Sequence, residues 1–203
     1  MASSRRLFIA VAAALGLAFA GPALGAIEKN ALPDDMTLGN PNAKITVIEY
    51  ASASCPHCAH FNNEVFPAFK AKYIDTGRIH YVFREFLTAP AEVAAASFLI
   101  ARCAGKDKYF SVLDTIFRGQ QQMYQSGDIK GALARAAGQA GMNEAQLDAC
   151  LTNEAAGDAL NARVERYAKQ DGINMTPTFV INGKKMQADA TLANLDAAIA
   201  AAH

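Results

Sequence analysis

Apolar positions change their spacing several times along this chain, and each change predicts an element. Leu7 to Ile27 is an uncharged run, Ala/Leu/Val-rich over Leu7–Phe19, preceded by Arg5 and Arg6 and followed by Gly21, Pro22 and Ala23-Leu24-Gly25. A charged start, an apolar middle and a small-residue end predict a cleavable export signal over residues 1–25. The alternative is an uncleaved anchor, but Gly16, Gly21, Pro22 and Gly25 interrupt the run before it reaches a good span of about 20 residues. Residues 26–44 carry Pro33, Gly39 and Pro41 and read as a leading arm that ends in a turn. Ile45-Thr46-Val47-Ile48-Glu49-Tyr50 is β-branched and apolar except for Glu49, which predicts a buried strand. Phe61, Val65, Phe66, Phe69 and Tyr73 then recur at helical spacing, with Pro67 expected to kink that helix, and Ile79 to Phe83 reads as a second strand.

From Ala89 to Gln170 the strand signal disappears. Periodic apolar positions predict helices over 91–102, 106–118, 128–139, 143–151 and 153–170, punctuated by Gly105, Gly119, Gly127 and Gly141. Strand signal returns at Thr178-Phe179-Val180-Ile181. Asn182-Gly183 predicts a type I′ hairpin turn, Lys184–Met186 the return strand, and residues 191–200 a closing amphipathic helix. Sheet elements on both sides of a helical block predict one α/β domain with an α-helical insert. The expected division is 1–25 as signal, 26–88 with 171–203 as a discontinuous α/β domain, and 89–170 as the insert.

Composition narrows the function. Hydrophobic residues are 52% of 203, enough for a sizeable core, and Lys+Arg and Asp+Glu are both 19. With no basic run or tail, nucleic acid is not an expected partner. Removing residues 1–25 takes away two arginines and leaves 17 basic against 19 acidic residues. Export would place the chain where disulfides persist. Arg5-Arg6 also resembles a twin-arginine signal, and ordinary secretion is the simpler reading.

The chemistry concentrates in Cys55-Pro56-His57-Cys58, which lies between the first strand and the helix that follows. A cysteine at a helix start meets unpaired backbone N–H groups and the positive helix end, so its thiolate is stabilised. His57 could donate to that thiolate or carry charge beside it, and Pro56 stiffens the turn. Cys58 falls one turn further in. This predicts Cys55 as the exposed nucleophile and Cys58 as its buried partner. A zinc site from Cys55, His57, Cys58 and His60 is the first rival, but adjacent His57 and Cys58 cannot share a helix face, and no second ligand pair follows. Haem attachment needs His after the second Cys, where Ala59 stands. An inert bridge would close too small a loop to restrict the unfolded chain much. A redox site without metal or other cofactor is the reading.

This motif, its strand-to-helix context and Thr176-Pro177-Thr178-Phe179-Val180 resemble the DsbA family of periplasmic thiol oxidants over about residues 34–202. The resemblance implies a thioredoxin-like fold with an inserted α-helical domain. It implies a cis peptide before Pro177, with Thr176 and Pro177 offering backbone to an extended substrate. It also implies an acidic residue beneath the buried cysteine, at Glu49, against the plainer reading of a strand-end Glu reaching solvent. The activity implied is oxidation of cysteine pairs in folding exported proteins through a Cys55–Cys58 disulfide, in the periplasm, with reoxidation by a DsbB-like membrane partner. A monomer is expected. The rivals are a disulfide isomerase or reductase, and a secreted binding module with a non-catalytic bridge.

Cys103 and Cys150 remain. They lack Cys-x-x-Cys spacing and a neighbouring His, and an even count in an oxidising compartment predicts a structural bridge inside the insert. Some DsbA relatives are similar in carrying a second bridge. The alternative is two buried free cysteines acting as small hydrophobes.

Overall fold

A computed structural model describes residue 27 and residues 29–202. The signal expected over 1–25 lies outside those residues. Among the described residues no helix is long and apolar enough to cross a membrane.

Five strands form one sheet: β1 (Met36–Gly39), β2 (Ile45–Ala51), β3 (Ile79–Glu85), β4 (Thr178–Ile181) and β5 (Lys184–Lys185), in the order β1-β3-β2-β4-β5. β2 runs parallel to β3, with Val47 opposite Tyr81, and antiparallel to β4, with Val47 opposite Ile181. β1 and β5 pair antiparallel at the two edges. The residues expected to be a leading arm therefore contain a strand. Met-Thr-Leu-Gly is too short for alternation to be seen, and its pairing with β3 creates it.

Side chains alternate across the sheet, and this sorts β2, β3 and β4 onto two cores. Val47, Ala51, Ile79, Tyr81, Phe83, Phe179 and Ile181 join the larger apolar cluster on the first face. Ile48, Tyr50, Val82 and Val180 join Tyr167 and Ile173 on the second. Glu49 falls on the first face and is 3% exposed.

The first face is covered by a compound helix. It is α-helical over α1 (Pro56–His60), π-helical over Phe61–Val65, α-helical over α2 (Phe66–Phe69) and π-helical over Lys70–Ile74. Pro67 lacks an N–H and cannot continue an α ladder, and the helix takes wider turns on either side of the segment Pro67 lies in. Then come α3 (Ala91–Cys103), α4 (Lys106–Ser126), α5 (Ile129–Gln139), α6 (Glu144–Leu151) and α7 (Glu154–Lys169), and α8 (Leu192–Ala200) closes the chain. Asp128, Asn143, Asn153 and Thr191 cap their helices through side-chain oxygens. α4 continues past Gly119, where the pattern was expected to stop. Gly119 sits in open space, and the buried Gln120 and Met123 hold the added turns to the core. The hairpin turn is as expected, with Asn182 and Gly183 both at positive φ, 46° and 82°.

Two buried charges at the end of β3, one on each face of the sheet, hold distant segments to it, and Glu85 is the one that holds the helical block. Glu85, 1% exposed, accepts from Arg102 of α3 (2.6 Å), Tyr109 of α4 (2.9 Å) and Arg163 of α7 (2.8 Å). On the other face Arg84 binds Asp35 (3.1 Å), Asp171 (3.3 Å) and the Tyr50 hydroxyl (2.7 Å). Neither carries an unpaired charge, which is the condition for burying one. Cys103 and Cys150 form a disulfide joining α3 to α6, with Cα atoms 6.2 Å apart.

Candidate active site

The β2 chain leaves the sheet at Ala51 and enters α1 at Pro56. Cys55 is the N-cap, in extended conformation (φ −81°, ψ 122°), and Pro56 occupies the first turn, where its missing N–H costs nothing. Ser52 and Ser54 fix the connecting loop. The Ser52 hydroxyl accepts from the Thr88 N–H (3.1 Å), and the Ser54 hydroxyl donates to the Thr88 carbonyl (2.7 Å). Gln120 of α4 donates to the carbonyls of Ala53 (2.8 Å) and Cys55 (3.3 Å), tying the helical block to the motif. The sequence carries a signal for Gln120: it is the polar member of an apolar stripe with Leu113, Ile116, Phe117 and Met123.

Cys55 and Cys58 are both reduced. Cys55 is 7% exposed and Cys58 is 0% exposed. The contrast expected between an open and a closed cysteine is therefore slight in surface area. It is large in proton affinity. The Cys55 thiol is lowered to about 5. The first cause is a hydrogen bond from Cys58, followed, against desolvation, by the Thr176 hydroxyl and the backbone N–H groups of Cys58 and His57. Those N–H groups are the unpaired donors of the helix start. Cys58 is pushed well above its ordinary value, first by burial and then by its link to Cys55. The Ser52 N–H donates to its sulfur at 3.5 Å.

His57 and His60 stand exposed. The His57 imidazole makes no hydrogen bond to Cys55 and lines a cleft of about 890 Å³ with Met175, Thr176, Pro177 and Met186. The Thr176–Pro177 peptide is cis, as is Ala89–Pro90, whose sequence carries no signal for it. The Cys55 thiol donates to the Thr176 carbonyl at 3.4 Å, so the motif and the proline loop meet at one sulfur. The Thr176 hydroxyl is buried without a hydrogen-bond partner in this dithiol state. Once the sulfur ionises it can no longer donate to the carbonyl, and the hydroxyl beside it can donate to the thiolate instead. Met175, next in the loop, is 65% exposed.

Glu49 does not reach solvent as a strand-end residue would. Its carboxyl accepts from the buried Tyr81 hydroxyl and is raised to about 8, first by burial, with Tyr81 opposing and the Cys55 thiolate adding. Its charge also contributes to the rise at Cys58. A low thiol, a high thiol and a neutral acid thus share one face of β2 and the helix above it. Among the described residues no three or more His, Cys, Asp and Glu side chains are gathered as metal ligands would be.

Known proteins share this fold. The family model described as Thioredoxin matches residues 31–201. A Rickettsia conorii protein named as a protein-disulfide oxidoreductase is 36% identical over 165 residues, covering 80% of this chain and 59% of its own. A Rickettsia typhi protein of the same description is also 36% identical, over 74% of this chain and 55% of its own. The chain thus spans less than two thirds of the length of these relatives. Among solved structures, alpha-DsbA1 of Wolbachia pipientis superposes with a TM-score of 0.77 at 28% identity, covering 85% of this chain and 92% of that one. A protein-disulfide isomerase from Novosphingobium aromaticivorans gives 0.72 at 26% identity, over 82% and 96%. With the helical block inserted between β3 and β4, the chain belongs to the thioredoxin family and is DsbA-like.

Proposed function

We propose that the protein is a thiol:disulfide oxidoreductase that oxidises cysteine pairs of exported proteins through a Cys55–Cys58 disulfide. The observation that carries this reading is the split between the two thiols. A Cys55 held near 5 stabilises the reduced site, and whatever stabilises the dithiol makes the disulfide a stronger oxidant.

In the cycle, a substrate thiolate attacks the Cys55 sulfur of the resting disulfide, and the Cys55–Cys58 bond breaks with its electron pair going to Cys58. Cys58 holds a proton strongly, and the neutral Glu49 is the acid able to supply one at neutral pH. A second substrate thiolate then attacks the substrate sulfur of the mixed disulfide. The substrate disulfide forms and Cys55 leaves as a stabilised thiolate. The substrate has lost two electrons and the protein has gained them. Thr176 and Pro177 offer backbone beside Cys55 to an extended substrate segment, and His57 lies on the cleft wall where that segment would pass. Turnover needs an outside oxidant for the dithiol, and a DsbB-like membrane protein is the proposed one. The site of action is the periplasm, with residues 1–25 as the export signal and the monomer as the working unit.

Isomerisation is the second reading, favoured by the likeness to the Novosphingobium isomerase structure. Reduced ribonuclease and scrambled ribonuclease, offered separately with a glutathione buffer, decide between them. An oxidase gains far more over the uncatalysed rate with the reduced substrate, and faster recovery from the scrambled one would overturn the proposal. An equilibrium with glutathione no more oxidising than that of an ordinary surface disulfide would also count against it.

A further inference from the structure

A second cavity, of about 310 Å³, lies between the compound helix, the first face of the sheet and α4. Phe61, Phe66, Tyr81, Phe83, Phe110 and Phe117 line it. Its rings already touch one another, Phe66 to Tyr81 at 5.4 Å and Phe83 to Phe110 at 6.2 Å with the planes at 88°. Glu49 lines the same cavity. The Tyr81 hydroxyl occupies Oε2 of that carboxyl, and Oε1 has no hydrogen-bond partner among the described residues.

The solvent end carries Lys70, Asp114 and Arg118, whose charges are already matched. Lys70 pairs with Asp75, Arg118 pairs with Asp114, and the Asn62 amide also donates to Asp114. An ionic ligand would find no spare counter-charge and would lose its hydration. A neutral one loses little.

We propose that this cavity is a binding site for a small neutral aromatic molecule with one hydrogen-bond-accepting oxygen, its ring among the phenylalanines and its oxygen on Glu49. The volume sits at the lower end of ligand pockets, about 300–1,000 Å³, which limits the occupant to one or two rings. Aromatic walls favour a ring placed edge-to-face or offset. The carboxyl is neutral through pH 7, so Oε1 can bear the proton and donate it to a ketone or amide oxygen. The site stands whether or not Cys55 turns over substrates.

Its pH response follows from the groups facing Glu49. Tyr81 on β3 is pushed well above its ordinary value and Cys58 on α1 likewise, so both stay neutral, while Cys55 is ionised from about pH 5 upward. Lys70, Asp114 and Arg118 lie at the solvent end. Between pH 6 and 9.5 the carboxyl is the cavity-lining acid that changes charge. With its midpoint near 8, about 3% stays neutral at pH 9.5, so a ligand bound by the neutral form weakens about thirtyfold.

The test titrates the reduced, full-length protein with acetophenone and with ethylbenzene, which lacks the oxygen, following backbone amide shifts by NMR. Saturable shifts at Phe66, Phe110 and Leu113, with acetophenone about thirtyfold weaker at pH 9.5 than at pH 6 and ethylbenzene unchanged, support the site. Glu49→Gln, which keeps a neutral donor, should bind acetophenone equally at both pH values. Absence of saturable shifts at the lining residues at pH 6 overturns the proposal. So does an equal pH response from ethylbenzene, or shifts confined to His57 and Met175 in the other cleft. Should Glu49→Gln not fold, the two probes on the unaltered protein decide.

Discussion

Replacing Thr176 by Val should make the protein less oxidising by an amount that depends on pH. Valine keeps the β-branched shape and removes the hydroxyl, which has no hydrogen-bond partner in the dithiol and helps hold the Cys55 thiol near 5. A hydrogen bond to a charged group is worth about 1.5–3 kcal/mol, and a diffuse sulfur acceptor belongs at the low end. That is about one pKa unit, which moves Cys55 from about 5 to about 6. Both values lie below pH 7, so at neutrality the whole difference is expressed. The dithiol loses about 1.4 kcal/mol relative to the disulfide, the reduction potential falls by about 30 mV, and the glutathione equilibrium constant shifts about tenfold. Near pH 4 the sulfur is protonated in both proteins and the two equilibria should converge. Thiolate ultraviolet absorbance against pH gives the first number, and glutathione titration at the two pH values gives the second. An unchanged Cys55 titration, or a shift of equal size at both pH values, would refute the reasoning, since the first removes the hydrogen bond and the second points to packing.

Other predictions concern stability. Replacing Cys103 and Cys150 together by Ala opens a bridge of sequence separation 47, and urea unfolding should show a loss of about 4 kcal/mol in the chain-entropy model; a loss under 1 kcal/mol would mean the unfolded chain is not restrained by it. Glu85→Gln takes the charge from a carboxylate that holds Arg102 and Arg163, and because Arg102 can partly rehydrate, the cost should fall near the lower limit of about 3–5 kcal/mol for breaking a buried pair. Urea unfolding measures it, and loss of the α-helical signal in the same transition as the sheet would show that the clasp couples them. In the reduced protein the depressed Cys55 contributes stability that is present above the unfolded thiol value and lost as pH falls through about 5, so the reduced-minus-oxidised difference in unfolding free energy should rise from pH 5 to 9. Glu49 has the opposite sign: its raised value contributes stability at low pH that is lost as pH rises from the unfolded value of 4.5 through about 8, and Glu49→Gln should remove that fall from the reduced protein. A pH-independent reduced-minus-oxidised difference would contradict the Cys55 assignment.

Much of this was legible in the sequence because local rules and tertiary context agree. β2 and the Asn182-Gly183 hairpin announce themselves by residue type, and the Cys-x-x-Cys motif by its place between strand and helix. What stayed hidden depended on contacts far along the chain. Met36–Gly39 has no alternation of its own and becomes a strand by pairing with β3. Gly119 looks like a stop, yet α4 runs through it because Gln120 finds the Ala53 and Cys55 carbonyls. Arg84 and Glu85 read as the charged exit of a strand, and each is buried by partners from segments a local pattern cannot bring together. The sequence points to the His57 imidazole, whereas the groups that hold the Cys55 thiol low are Cys58, the Thr176 hydroxyl and backbone N–H groups, that of His57 among them.

The sheet order has a consequence for a chain that emerges N-terminus first. β3 can close one side of β2 early, but the other side waits for β4, since Tyr50 pairs with Thr178 and its hydroxyl reaches Asp171 across 121 positions. Until the last segment arrives, the nascent protein carries an open strand edge along β2, with the place of Val180 beside Ile48 and Tyr50 unfilled. Such an edge is a template for pairing with other chains. The helical block can fold meanwhile, since its contacts are mostly within itself, but it cannot shield that edge. A chain cut short before Thr178 should therefore be the aggregation-prone species, and a holding factor that acts on this protein should recognise the unpaired side of β2.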